Sequence, residues 1–399
     1  MPQISEKGKI MPASPIRRLV PLADKAKERG IRVYHLNIGQ PDIHTPEIAI
    51  EAMKTWTGKV VEYTNSVGNA SFRKKLAAYY RGVGVDIDET NILVTTGGSE
   101  AITFAFMATL DPGDEVITPE PFYANYTSFA TICGVTIKTV PSFIENGFAL
   151  PPVSEFERLI TPRTKGIVIV NPGNPTGYLY SREELEQVAD IVKRHDLFLY
   201  TDEVYREFCY DGLKHFSATR LEGIEENVIM VDSVSKRYSE CGARVGMLIS
   251  RNKEVLSAVT RFCMARLSPP ALGQLVAEAS LDTPPEYFAA VHHEYVARRD
   301  YMVGALNRIP GVVCPMPRGA FYTVVKLPVK DADDFARWLL EEFDDGGETV
   351  MVAPASGFYS TPGRGKDEVR VAYVLEISRL KRAIEILGRA LDAYPGRIR

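Results

Sequence analysis

A lysine set among small hydroxyl residues, Asp232-Ser233-Val234-Ser235-Lys236, follows the apolar run Val228 to Val231, with Arg244 eight positions further on. Most lysines are solvated surface residues, so Lys236 alone would carry no argument; its setting does. Three other apolar runs end in equally specific segments. Ile92 to Thr95 leads into Thr96-Gly97-Gly98-Ser99-Glu100, and Gly166 to Val170 into Asn171-Pro172-Gly173-Asn174-Pro175-Thr176-Gly177. Leu197 to Thr201 leads into Asp202-Glu203-Val204-Tyr205. Glycines at a strand-to-helix turn let backbone N–H groups approach a phosphate at the helix N-terminus. By itself Gly97-Gly98 makes no more than a tight turn, because the spacing is neither Walker A nor GxGxxG. Two prolines and two glycines hold Asn174 as a preorganised hydrogen-bonding side chain, although such a loop also serves purely structural ends. Asp202 closes a buried strand and needs a positive or hydrogen-bonding partner there, unless it caps the next helix.

Together these loops gather a phosphate cradle, a lysine, an acid, an asparagine and a tyrosine. That set matches the needs of pyridoxal 5′-phosphate. A lysine forms the Schiff base, an acid keeps the pyridine nitrogen protonated so that the ring acts as an electron sink, and the phosphate takes backbone donors, hydroxyls and an arginine.

Ligands of open α/β sheets sit beyond the carboxyl ends of the strands. The runs above, with Glu115 to Thr118 and Gly246 to Ser250, lack the polar alternation of half-exposed strands and read as strands covered on both faces. Helical stretches intervene, one opening on the capping-box match Ser181-Arg182-Glu183-Glu184. Earlier, a helix over Pro21 to Arg29 ends at Gly30, and Thr45-Pro46-Glu47 opens a helix over Ile48 to Trp56. The pattern predicts an α/β fold: a large domain with a mostly parallel central sheet covered by helices, and a smaller α+β domain built from the N- and C-terminal segments. After about Asp282 the rhythm changes to a long helix, Pro285 to Asn307, a strand-rich segment and a final helix, Ile377 to Leu391. The expected division is an N-terminal arm with part of the small domain over 1–48, a large cofactor-binding domain over 49–284, and the small C-terminal domain over 285–399.

At 399 residues with 45% hydrophobic and 25% charged side chains, the chain is neither collagen-like, coiled-coil nor disordered. A net charge of −4 gives no reason to expect a nucleic-acid or anionic-membrane partner. Five scattered cysteines without a Cys-x-x-Cys read as free thiols in a reducing compartment. The charged start, without an apolar core, is no signal peptide, and the expected location is cytoplasmic. Six histidines without metal-ligand spacing argue against a metal enzyme.

The chain resembles the class I/II aminotransferases of pyridoxal-phosphate fold type I, aspartate aminotransferase-like, over about residues 15 to 395. Asn171 to Gly177 resembles the family's NP-x-NP-[ST]-G, and Ser233 to Lys236 with Arg244 its S-x-S-K…R-x-G, in the family's order. The resemblance implies that Lys236 binds the cofactor and shuttles the proton between the amino acid's α-carbon and the cofactor's C4′. Asp202 would pair with the ring nitrogen, and Tyr205 and Asn174 with the 3′-oxygen. Gly98, Ser99 and Glu100 would hold the phosphate, helped by Ser233, Ser235 and Arg244. Tyr123 would stack on the ring; without the resemblance it reads equally well as a core aromatic. Arg370 resembles the arginine that grips the substrate α-carboxylate, and otherwise reads as a surface residue on an alternating strand. Gly39 resembles the glycine of the N-terminal G-x-P-D motif, which approaches that carboxylate. Tyr63 resembles a tyrosine that reaches the neighbouring subunit's phosphate, which implies a homodimer with shared sites. Ala355 stands where the family's P-G-x-x-F has glycine. Arg266 lies near, though about three residues out of register with, the neighbouring subunit's arginine for a side-chain carboxylate; a helix-end arginine capping carbonyls is the plain alternative.

The implied activity is ping-pong transfer of an amino group from an L-amino acid, aspartate by analogy, to a 2-oxo acid, 2-oxoglutarate by the same analogy. Donors such as alanine or aromatic amino acids, and a carbon–sulfur β-lyase or similar elimination on the same fold, share nearly all these motifs. A DNA-binding regulator of this fold has no room for its extra domain before residue 15.

Overall fold

The computed structural model describes residues 2–398. Strand β1 (Arg32–His35) precedes the seven strands of the main sheet: β2 (Ile92–Thr95), β3 (Glu115–Glu120), β4 (Thr136–Pro141), β5 (Thr164–Val170), β6 (Phe198–Asp202), β7 (Val228–Ser233) and β8 (Gly246–Ser250). Their order is β2-β8-β7-β6-β5-β3-β4, with β8 antiparallel to both its neighbours and the other pairings parallel. The fold is therefore the α/β architecture with a mostly parallel, helix-covered sheet.

Period-two alternation explains the double coverage. Ile167, Ile169 and Leu199 pack on one face with Leu185, Val188 and Val192 of the helix Arg182–His195. Val168, Val170 and Tyr200 pack on the other with Ala101, Ala105 and Phe106 of the helix Gly98–Thr109. The Ser181–Glu184 capping box opens the first of these helices as its sequence predicts. The helix expected from Thr45 starts instead at Glu47, with Pro46 in the cap position and no side-chain cap.

Strand β4 has no apolar run in the sequence. It is an edge strand, TIKTVP, most of whose residues are partly exposed, so burial never required one. Conversely, β7 runs two residues beyond its apolar stretch. Asp232 and Ser233 stay in the ladder, fully buried, because their polar atoms are paired.

Outside the main sheet, β9 (Tyr322–Lys326), β10 (Glu348–Met351), β11 (Ala353–Pro354) and β12 (Glu368–Ala372) form two small sheets, β1-β10 and β11-β12-β9. Their core joins Leu19, Ala23 and Val33 from the start of the chain to Leu339, Ile384 and Leu387 near its end. Among the described residues, no helix is long and apolar enough to cross a membrane.

Candidate active site

Four loops converge where the parallel strands end. Because β8 runs the other way, its first residue lies at that same edge: Gly246 pairs with Thr95 on one side and Ser233 on the other. A Cβ on Gly246 would sit 2.6 Å from the Gly98 nitrogen, so only glycine lets the helix Gly98–Thr109 begin this close to the sheet. Gly97, at φ 77°, occupies that helix's cap position and has no side chain to accept from the first turn, which is left uncapped among the described residues. Arg244, also at positive φ, lies over the turn, where a Cβ on Gly97 would meet its Nη2 at 2.4 Å. Its Nη1 donates to the Cys241 carbonyl at 3.0 Å, and no carboxylate pairs with it among the described residues. An uncapped helix N-terminus under an arginine without a counter-ion is a cradle for a phosphate.

Lys236 is the penultimate residue of the short helix Val234–Arg237, which Ser233 caps. Ser233 Oγ also lies 2.8 Å from both the Ser235 hydroxyl and the Val245 carbonyl; its single proton serves the carbonyl while the Ser235 hydroxyl can donate to it. Expected among the phosphate donors, Ser233 is engaged within the turn that carries the lysine. Lys236 Nζ donates to the Gly39 carbonyl at 2.8 Å and lies 3.5 Å from Cys241 Sγ.

Asp202 ends β6, where its carboxylate accepts from the Tyr126 hydroxyl at 3.0 Å and the Val204 amide at 3.2 Å. Burial nevertheless pushes its carboxyl up to about 6, helped by the negative charges of Asp232 and Glu203. A carboxylate so placed is stabilised when a cation comes against it, as a protonated ring nitrogen would. Tyr205 is buried; its hydroxyl lies 3.0 Å from that of Tyr322 and 3.5 Å from Asn174 Nδ2. Burial holds this phenol well above its ordinary value, so it stays a neutral hydroxyl. Tyr123 is likewise pushed up, to about 12, and accepts from Asn125 Nδ2 at 2.9 Å.

Arg370, on β12, is 1% exposed and sits between the rings of Tyr322 (4.5 Å) and Phe358 (5.0 Å). Its fork donates to Asn174 Oδ1 at 3.1 Å and to the Asn37 carbonyl, while its buried Nε has no partner among the described residues. A buried guanidinium with neutral acceptors only is poised for a carboxylate ligand. Gly39 lies against this group: a Cβ there would fall 1.6 Å from the Tyr322 hydroxyl oxygen, so the approach requires glycine.

Arg266 and Tyr63 are the residues expected to face a neighbouring subunit. The Arg266 fork meets a carboxylate of this chain. It is paired within its own chain to Glu100 at 2.6 Å and donates to the Ser66 carbonyl at 2.8 Å, so a ligand would first have to displace Glu100. Glu100 in turn accepts from the Thr96 amide at 2.8 Å, so its side chain braces the cradle from within. Tyr63 is 79% exposed and takes no part in these contacts among the described residues. The residues not anticipated are Tyr126, Tyr322 and Asn37. Tyr126 carried a signal, one helical turn beyond Tyr123; Tyr322 and Asn37 reach the site only through tertiary structure.

A lysine, a strand-end acid and an uncapped helix N-terminus under an arginine meet at the C-terminal edge of a parallel sheet, an arrangement suited to pyridoxal phosphate. The family model for aminotransferase class I and II matches residues 31–387, and the chain belongs to that family. It is 31% identical over 383 residues to an aspartate aminotransferase of Bacillus subtilis, covering 93% of this chain and 94% of the relative. It is 30% identical over 399 residues to aromatic-amino-acid aminotransferase 2 of Thermococcus litoralis, covering 97% and 98%. A single mutant of Thermus thermophilus aspartate aminotransferase matches its structure with a TM-score of 0.89 at 29% identity, covering 98% of this chain and all of that one. The protein is a pyridoxal-phosphate-dependent aminotransferase.

Proposed function

We propose that the enzyme takes its amino group from aspartate, passes it to 2-oxoglutarate in a ping-pong cycle, and works as a homodimer. The observation that carries the substrate side is Arg370, buried without a carboxylate partner beside Asn174 and Gly39. Its two-pronged fork would grip the α-carboxylate and so fix the orientation of the α-carbon. The bound cofactor supplies an electron sink for the charge left as that carbon loses its proton. Lys236 moves the proton between the α-carbon and C4′. Asp202 would hold the proton on the ring nitrogen, Tyr205 and Asn174 would offer hydrogen bonds to the 3′-oxygen, and Tyr123 would supply an aromatic face to the ring. The amides of Gly98, Ser99 and Glu100, with Ser235 and Arg244, hold the phosphate.

Aspartate is favoured by the names of the relatives, not by a side chain here, since Arg266 is tied to Glu100. Mixing the cofactor-loaded enzyme with single amino acids and no acceptor tests it. Aspartate should convert the cofactor to its amine form at least about tenfold faster than alanine or phenylalanine, a step small enough for pocket contacts to supply. Adding 2-oxoglutarate should reverse the change. Faster conversion by alanine or phenylalanine would replace aspartate as the donor, and pyruvate with ammonia accumulating without an acceptor would favour a lyase.

The homodimer is supported by an apolar surface. Trp56, Val60, Val61 and Tyr63 lie exposed on an irregular segment that meets the loop at Pro269, close in sequence to the exposed Met264, Leu267 and Leu272. An apolar patch of this kind marks a contact surface. Tyr63→Ala is expected to weaken cofactor binding about tenfold while the protein remains dimeric by sedimentation. A wild-type monomer with full activity would remove the shared-site reading.

A further inference from the structure

The residues proposed to meet the cofactor have charged neighbours in sequence, and these form a separate buried cluster. Glu203 follows Asp202, Arg206 follows Tyr205, Arg237 follows Lys236, and Asp232 precedes Ser233. All four charged residues are at most 6% exposed. Arg237 Nη2 donates to Asp232 Oδ2 at 2.5 Å, the Tyr80 hydroxyl donates to the same oxygen at 2.7 Å, and Arg206 Nε lies 3.7 Å from it. Arg206 also pairs with Glu203. Arg237 lies over the Tyr79 ring at 4.3 Å, and its Nε is 3.3 Å from Glu207. The other oxygen of Asp232 accepts from the Ser233 amide at 2.7 Å.

Asp232 and Arg237 thus stand at the two ends of the turn Ser233–Arg237 and clasp it, with Lys236 the last residue before the clasp. Arg237 Nε and Nη1 make no hydrogen bond among the described residues, so Asp232 is its main anchor. Buried ion pairs are poor stabilisers compared with apolar packing, because desolvation offsets most of their attraction. What this pair supplies that apolar residues would not is a fixed turn and a fixed local charge.

We infer that the Asp232–Arg237 pair positions Lys236 and sets the proton affinity of its nitrogen, given that Lys236 bonds the cofactor as proposed above. Arg237 and Asp232 are positioning residues: neither is placed against substrate or cofactor. Lys236 itself touches the Cys241 thiol and the Gly39 carbonyl, which it shares with Tyr322; Asp202, Tyr205, Tyr123, Arg244 and Arg370 are the other ionisable groups of the site. Around the pair stand Glu203, Arg206, Glu207, Tyr79, Tyr80 and Tyr238, with His215 held neutral by burial, its pKa pushed down to about 3. Tyr80, Arg206 and Glu207 touch the pair directly, so a substitution at 232 or 237 removes one contact of each residue it faces and leaves the neighbouring side chains themselves in place.

The readout is the pH midpoint of the bound cofactor's absorbance, which reports the proton held at the Lys236 nitrogen. Removing a positive charge favours that proton and removing a negative one disfavours it. Arg237→Gln should raise the midpoint by about one pH unit, and Asp232→Asn should lower it by a similar amount. The double variant should return to within about 0.3 unit of wild type, since adjoining charges are coupled. Arg237→Lys, which keeps the charge, should remain near wild type in midpoint while kcat falls and KM holds.

Shifts of opposite sign that cancel in the double variant establish the inference. Lower melting temperatures with an unmoved midpoint, or shifts of one sign in both single variants, overturn it and leave the pair a structural support. Should a buried variant fail to give folded holoenzyme, Glu207→Gln decides, being at the partly exposed end of the same charges. A downward shift of about 0.3 unit supports the inference, and none overturns it. Holoenzyme that, after borohydride reduction, carries no cofactor label on Lys236 would instead overturn the assignment of Lys236.

Discussion

Lys236→Ala should lose turnover by more than about a thousandfold while still binding the cofactor without a covalent bond. Proton transfer by a positioned side chain contributes roughly 10²–10⁴-fold, and Lys236 places its amine at the edge where the four loops converge. Its nitrogen can reach the α-carbon and C4′ in turn because it ends a flexible four-carbon stem on a rigid turn. The groups proposed to hold the cofactor do not depend on it. The uncapped helix at Gly98, Arg244, Asp202 and Tyr205 take none of their contacts from Lys236. The Gly39 carbonyl, which accepts from Lys236, keeps the Tyr322 hydroxyl at 3.4 Å as a second donor. The fold should therefore persist, with a melting temperature within a few degrees of wild type. Equilibrium dialysis of the variant with the cofactor, beside a steady-state assay, checks both halves. Activity above about a tenth of wild type would exclude Lys236 from the proton transfer.

How much of this was legible in the sequence follows from the range of the contacts. Lys236, Ser233, Ser235 and Arg244 share one loop and turn, as do Asp202 and Tyr205, so each motif carries its own local geometry. The parallel strands then bring the motifs together, because each loop follows the same end of a buried strand. The antiparallel β8 has no mark in composition; only Gly246, opposite Thr95 and Ser233, shows why Arg244 joins that edge.

Long-range contacts were not legible in the same way. Arg370 reaches the Asn37 carbonyl across 333 positions and Asn174 across 196, and without the family resemblance it reads as an ordinary strand arginine. Arg266 shows the converse. Resemblance pointed it outward, whereas Glu100, 166 positions away, holds it in. The pairing needs the end of the helix Lys253–Arg266 to meet the start of the helix Gly98–Thr109, which no local pattern announces. Edge strand β4 carries no sequence signal for a different reason: partial exposure removes the need for the apolar run that marks its neighbours.

Asp202 links the site's chemistry to the stability of the fold, and Asp202→Asn is the second variant with a large expected effect. The carboxyl has an ordinary value of 3.8, and burial raises it to about 6 in the folded chain. Between those values the folded protein holds a proton that the unfolded protein has lost, so stability falls as pH rises through that window and stays lower above it. Cofactor-free protein should therefore carry a penalty from Asp202 at pH 8 that is absent near pH 4. The shift sets this at no more than about 3 kcal/mol, less to the extent that water reaches the carboxylate. Asn at 202 cannot ionise, so cofactor-free Asp202→Asn should lose less stability than wild type between pH 4 and pH 8. Other buried acids, such as Glu240, whose carboxyl is pushed up to about 7, titrate alike in both proteins and cancel in the comparison. With the cofactor bound, Asp202 paired to the protonated ring nitrogen keeps its charge, and the wild-type penalty should shrink. The Asn variant cannot hold that proton on the ring nitrogen, and its kcat should fall by more than about a hundredfold, the scale of losing one preorganised electrostatic partner. Melting curves of both proteins at the two pH values, with and without cofactor, test the linkage. Equal losses for wild type and variant in the cofactor-free state would mean that Asp202 is already charged and satisfied there, and the cation it is proposed to await would have no role in holding it.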